Sequence, residues 1–279
     1  MVRVSASGEA DRNASFVGDI PRNYDRYLGP ALFHGFADDL AERISVMPGM
    51  RILETACGTG ILTRRLADRL RGIGSIVATD LNEAMIGYGR AQMPAENGHV
   101  EWQPVDATKL PFPDQSFDAV VCQFGLMFFS DKPAGIRETF RALKPGGRYL
   151  FSVWDALAKN PLQRITHETA GRFFPADPPS FYTVPFSLHD PAPLRTMLAE
   201  EGFERIEVTH VEKTGTSASA ADAATGLIEG NPILDAIMAR RPEALGDIKR
   251  ATAAAIAAEL GDPPARIPLH AIVLSARRS

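Results

Sequence analysis

The chain has 279 residues, a formal net charge of −4, 45% hydrophobic and 23% charged residues. That length suits one large α/β domain or one domain carrying an insertion, and the composition is that of a globular protein with enough apolar material for a core. The negative balance offers no basic field, which argues against a nucleic-acid partner.

Residues 1–18 are polar, lack an apolar signal core and read as a flexible N-terminus, with 19–279 as a single domain. "NYDRYLGPALFHGFADDLAERI" spaces Leu32, Phe33, Phe36, Leu40 and Ile44 as a helix, which Pro48 and Gly49 end. The chain then alternates. "MRILET", "GSIVATD", "HVEWQPVD", "SFDAVVCQF" and "RYLFSVW" read as short strands. Between them, "GILTRRLADRL", "NEAMIGYGRAQM" (capped by Asn82) and "DKPAGIRETFRALKPGG" (stopped by Pro145 and Gly146) read as helices. Beyond Trp154 the segment 155–187 is rich in proline and aromatics and reads as a cap-like insertion. A helix then runs to Gly202, "ERIEVTHVEKTG" gives a strand, the alanine-rich 217–260 is mostly helical, and "ARIPLHAIVLSARR" is the last strand. A second cap-like insertion is therefore expected near 213–264.

Short apolar strands alternating with helices indicate a parallel sheet covered on both faces, and right-handed crossovers leave a doubly wound α/β fold. The most apolar window, "FDAVVCQFGLMFF", is too short to span a bilayer, so no membrane insertion is expected. Cys57 and Cys122 form neither a metal spacing nor a disulfide framework, which points to a reducing, cytoplasmic setting with no metal site.

The chemistry concentrates at strand ends. Gly58 and Gly60, between a strand and a helix, let backbone N–H groups approach a ligand beside the helix N-terminus. The same loop would also serve as a plain strand-to-helix turn. Asp80 ends the second strand, where a carboxylate can accept both hydroxyls of a ribose; Asp106 ends the third and can accept from an exocyclic amine. Each acid has a plainer reading as a cap or turn residue. Ligands of open α/β sheets nevertheless lie beyond the carboxyl ends of strands, where these residues fall together.

"ETACGTGILT", "ATDLNEAMIGYGR", "VDATKLPFPDQSFDAVVCQFGLMFF" and "RALKPGGRYLFSVW", in that order, resemble the successive motifs of class I S-adenosylmethionine-dependent methyltransferases. The small-molecule branch similar to ubiquinone/menaquinone C-methyltransferases is nearest, and the resemblance covers about residues 20–155. It implies a mostly parallel seven-stranded Rossmann-like sheet, S-adenosylmethionine as cofactor and S-adenosylhomocysteine as product. It implies that Glu54, Ala56, Cys57, Gly58 and Gly60 hold the methionine part, Asp80 the ribose, Leu81 and Met85 the adenine face, and Asp106 and Ala107 its amine. Gln123 falls between cofactor and substrate. Ala56 stands where the family often has glycine, a change tolerated if φ there is negative.

A methyl donor of this kind needs an aligned acceptor more than a catalytic base. His34, His167, His189 and His270 are scattered; His167 with Glu168, in the cap, is the pair to test first. Tyr24 and Tyr27 are candidates to close the site. Phe124 and the cap aromatics Phe181 and Tyr182, with Phe173, Phe174 and Phe186 nearby, either line an acceptor pocket or form the cap's own small core. The expectation is methyl transfer to a small apolar or aromatic acceptor. An NAD(P)-dependent oxidoreductase and a non-catalytic binding protein of the same fold are the alternatives. The oligomeric state is left open, a homodimer among the options.

Overall fold

The computed structural model describes residue 16 and residues 18–94, 99–264 and 266–279. Apart from Phe16 and Gly18, the expected flexible N-terminus lies outside the described residues.

Seven strands form one sheet in the order β3-β2-β1-β4-β5-β7-β6. β1 (Arg51–Thr55), β2 (Ser75–Asp80), β3 (Val100–Pro104), β4 (Phe117–Gln123) and β5 (Leu143–Trp154) are mutually parallel. β7 (Ile267–Arg278) pairs antiparallel with both β5 and β6 (Phe203–Gly215). The central strands are continuous apolar runs because helices cover both faces: Ile52, Leu53, Val120 and Val121 are fully buried. The edge strand β6 exposes Glu204 and Glu212, charges that discourage pairing with another chain.

α1 (Ile20–Asn23) leads into a π-helix over Tyr24–Phe33 and then α2 (His34–Glu42). The periodicity predicts one ordinary helix to Pro48; the structure replaces its first half with the wider winding and ends it at Glu42. Pro30 supplies the reason. It has no amide hydrogen, and its ring would strike the carbonyl one α-helical turn earlier. The wider coil relieves that clash, with His34 N–H donating to Gly29 O.

The remaining helices are α3 (Ile61–Leu70), α4 (Glu83–Gln92), α5 (Lys132–Ala142), α6 (Pro161–Phe173), α7 (Pro191–Glu200), α8 (Ala220–Glu229), α9 (Ile233–Arg240) and α10 (Leu245–Leu260). α5 stops earlier than Pro145 and Gly146 suggested, because Leu143 already pairs with Phe117 across β4. Asn82 sits at the N-cap of α4 without capping it; its Oδ1 accepts the Phe16 amide at 3.2 Å instead. α6 packs on α8 and α10, so the two expected insertions meet in one helical layer. Lys249 pairs with Glu229 inside that layer at 2.6 Å.

Candidate functional site

Four parallel strands end at one cleft of about 770 Å³. Ala56 and Gly58 follow β1, Asp80 and Leu81 end β2, Asp106 and Ala107 follow β3, and Gln123 and Phe124 end β4; all line it. The order of the sheet therefore sets the order of side chains along the cleft.

The loop after β1 is held by its own backbone. Cys57 N–H donates to Thr79 O and Gly60 N–H to Cys57 O, both at 2.9 Å. Gly60 takes φ +77° at the start of α3, and a Cβ there would lie 2.5 Å from the Trp102 ring. Gly58 takes φ +55°. Ala56 is a correction: its φ is +53°, not negative. Its methyl finds room because Gly125 lies behind it, where a Cβ would come within 2.3 Å of the Ala56 Cβ. The left-handed backbone remains a cost of about 1–2 kcal/mol for a residue with a Cβ.

Asp80 ties loop to strand. Its Oδ2 accepts Gly58 N–H at 2.9 Å and its Oδ1 accepts Asn82 N–H at 2.8 Å. Each carboxylate oxygen has two lone pairs, so acceptor capacity remains. Burial raises its pKa, with the Asn82 and Gly58 amides opposing the rise. Asp106 accepts Thr108 N–H at 2.8 Å and Thr108 Oγ1–H at 2.7 Å, both on Oδ1, which is a turn-residue role alongside its place in the wall.

Behind the loop lies a recess of about 30 Å³ between Glu54, Cys57, Tyr24 and Gln123. Glu54 is 1% exposed, and its Oε2 accepts Thr63 Oγ1–H at 2.6 Å. Burial pushes its pKa up to about 8, against the Thr63 hydrogen bond and the Arg64 charge. Gln123 donates through Nε2 to Phe33 O at 3.1 Å, while its buried Oε1 has no hydrogen-bond partner among the described residues. Tyr24, which lines both cavities, stacks on Phe33 with centroids 4.7 Å apart.

Aromatic side chains close the cleft. Phe124 (φ +52°) stacks on Trp154 at 4.0 Å. Phe16 is buried between Met85, Tyr24 and Phe128, edge-on to both rings at 5.9 Å. Sequence reasoning missed Phe16, Phe128 and Lys132; an aromatic in the polar "NASF" was the one signal for the first. Gly60 and four of the substrate or lid candidates are not among the described lining residues. Tyr27 lies under the Arg26 guanidinium and against α8 at Gly226. His167 stands edge-on to Tyr182 within the cap at 6.5 Å. Tyr182 donates its hydroxyl to Leu227 O at 2.7 Å, and Phe181 stacks on Phe128 at 6.3 Å. These cap aromatics form internal packing. Glu168 pairs with Arg164, and His189 and His270 hold backbone or sheet-edge partners.

A parallel sheet with acids and a glycine loop at adjacent strand tips defines a nucleoside-cofactor fold, and residues 52–147 match the methyltransferase domain family. The chain is an S-adenosylmethionine-dependent methyltransferase; the oxidoreductase alternative is not favoured. It is 33% identical over 228 residues to the ubiquinone/menaquinone biosynthesis C-methyltransferase UbiE of Ectopseudomonas mendocina, a match spanning 76% of this chain and 88% of the relative. The chain belongs to that family within the class I methyltransferases. Its fold is also that of the YcgJ protein of Bacillus subtilis (TM-score 0.58, 19% identity, 88% of this chain and 98% of that one). The phosphoethanolamine N-methyltransferase 2 of Haemonchus contortus, solved with S-adenosylhomocysteine, shares it too (TM-score 0.60, 18% identity, 99% of this chain and 60% of that one). No helix among the described residues is long and apolar enough to cross a membrane.

Proposed function

We propose that the cleft holds S-adenosylmethionine across the tips of β1, β2 and β3 and seats a small apolar or aromatic acceptor beside it. When bound, the cofactor supplies a methyl group made electrophilic by a sulfonium. The observation that carries this reading is one continuous cleft over four neighbouring strand tips, with carboxylates at two of them. Its size lies within the usual range for a ligand site, and the donor set suits the cofactor. Asp80 offers lone pairs to ribose hydroxyls and Asp106 to an amine. Leu81, 64% exposed, and Met85 offer apolar surface to the adenine, with Ala107 beside them. Ala56, Cys57, Gly58 and Gly60 shape the backbone around the methionine part. Glu54 is a buried carboxyl group without an ion pair among the described residues, and the recess beside it has room for an ammonium group, which would favour its ionised form, or for a bridging water. Gln123 lines the same recess, and its Oε1 has no hydrogen-bond partner among the described residues, which leaves an acceptor for a ligand.

The chain's own work is alignment and exclusion of water, which can contribute roughly 7–11 kcal/mol. Tyr24, Phe16, Phe124 and Phe128 form the dry wall behind which an acceptor is oriented. No side chain in the cleft is assigned as a general base. We read 19–279 as one domain in which 155–187 and 213–264 form a common cap, working in the reducing cytoplasm where Cys57 and Cys122 stay as free thiols.

Calorimetric titration with S-adenosylhomocysteine, with NADH as control, tests the site. Asp80→Ala is expected to weaken S-adenosylhomocysteine about ten- to a hundredfold, since buried donors left unpaired cost about 1–3 kcal/mol. Unchanged affinity in a folded variant would refute the assignment. A methyl-transfer screen over quinols, phenols and amines identifies the acceptor, with quinols first because the relatives are named for ubiquinone and menaquinone biosynthesis.

A further inference from the structure

The charged side chains along the cleft fall in a definite order. Asp80 and Asp106 stand at the β2 and β3 tips, toward one edge of the sheet. Beyond β4, on the other side of the glycine loop, stands Lys132, the one cation among the described residues that line the cleft. It is half-buried at the start of α5, and its Nζ donates to Phe129 O at 3.2 Å. No carboxylate of the described residues lies within 4.0 Å of that nitrogen, although the chain pairs most of its other buried cations. The same cleft is lined by the apolar Phe128, Phe129 and Val184 and by the exposed Ser130, Thr183 and Ser187. Burial lowers the Lys132 pKa, the mark of a charge that its surroundings do not offset.

We infer that Lys132 anchors an anionic oxygen of the acceptor, a carboxylate or a phenolate, at the β4 end of the cleft. This rests on the cofactor lying over the β1–β3 tips and adds the class of molecule beside it. An ammonium nitrogen has three donors, of which one is used by Phe129 O, so two remain for such an oxygen. The apolar walls take the ring or alkyl body and the exposed hydroxyls the solvent-facing edge. The same charge disfavours an acceptor that is itself a cation, so protonated amines are poor candidates. A charge-assisted contact in a partly desolvated site is worth roughly tenfold or more in affinity.

The test uses the full chain saturated with S-adenosylhomocysteine and three probes: benzoate, 4-nitrophenolate and neutral methyl benzoate. The expected result is that benzoate or 4-nitrophenolate binds about tenfold tighter than methyl benzoate, and which of the two does so identifies the oxygen. Lys132→Met abolishes that preference, Lys132→Arg keeps most of it, and S-adenosylhomocysteine affinity stays as in the wild type for both. The inference is overturned if neither anion binds better than the ester, or if the preference survives in Lys132→Met. It is also overturned if Lys132→Met weakens S-adenosylhomocysteine instead, because the lysine then serves the cofactor. Failure of S-adenosylhomocysteine to bind the wild type is a separate outcome, which removes the cofactor reading and this one with it.

Discussion

On the strand-tip wall of the cleft, consecutive residues do the positioning. Asp80 is fixed by the Gly58 and Asn82 backbone amides, and the loop by Gly60 N–H on Cys57 O within it and by Cys57 N–H on Thr79 O of the paired strand β2. The rest of the lining, with Phe16, Phe128, Val184 and Ser187, arrives from segments far apart in the chain, and Phe16 is placed there by its edge-on contact with Phe128 and by its amide on Asn82 Oδ1. A sheet edge is a rigid frame whose geometry survives changes in nearby side chains; a wall assembled from packed aromatics can be reshaped by substitution. The difference suggests why one fold keeps one cofactor while admitting different acceptors.

Substitutions can break that contrast or sharpen it. The largest effect is expected at Gly60→Ala, in the loop that carries Ala56 and Gly58 of the strand-tip wall. The left-handed backbone and the 2.5 Å approach to Trp102 together should cost roughly 2–4 kcal/mol, read as a lower denaturation midpoint with loss of S-adenosylhomocysteine binding. Near-normal binding would mean that this wall is softer than its hydrogen bonds suggest.

Glu54 gives the next effect. Its folded pKa of about 8 lies above the ordinary 4.5, so burial favours the protonated form. The stability attached to that form is whole below about pH 4.5 and is lost as pH rises through about 8. Glu54→Gln lacks this dependence, so its melting temperature should gain on the wild type across that window. Parallel melting curves for the two proteins would show that the buried carboxyl is not protonated as described.

The smallest effect belongs to the cap. Tyr182→Phe removes a hydroxyl from Leu227 O, which keeps the Asn231 amide as a second donor. Stability should fall by about 1 kcal/mol in urea titration, with S-adenosylhomocysteine affinity unchanged. A matching loss of affinity would show that the cap and the strand tips are not independent.

The same contrast explains what could be read in the sequence. Buried parallel strands advertise themselves as apolar runs, so the alternation of β1 to β5 with helices, and the acids at 80 and 106, were legible from local pattern. The winding of Tyr24–Phe33 was not, because hydrophobic spacing fits a helix of either pitch over so few turns. Phe16 and Lys132 were not legible either, since their place in the wall comes from tertiary packing. Tyr182 and Phe181 illustrate the converse: aromatic composition does not distinguish a pocket from a small core, and here the rings point into the core.

The back-to-back contact of Ala56 with Gly125 couples two loops. One methyl group fills the space between them, and it sits on Ala56, because a Cβ on Gly125 would also come within 2.8 Å of the Cys122 Sγ. Truncating residue 56 to glycine would therefore relieve its left-handed backbone without making room for a side chain at 125.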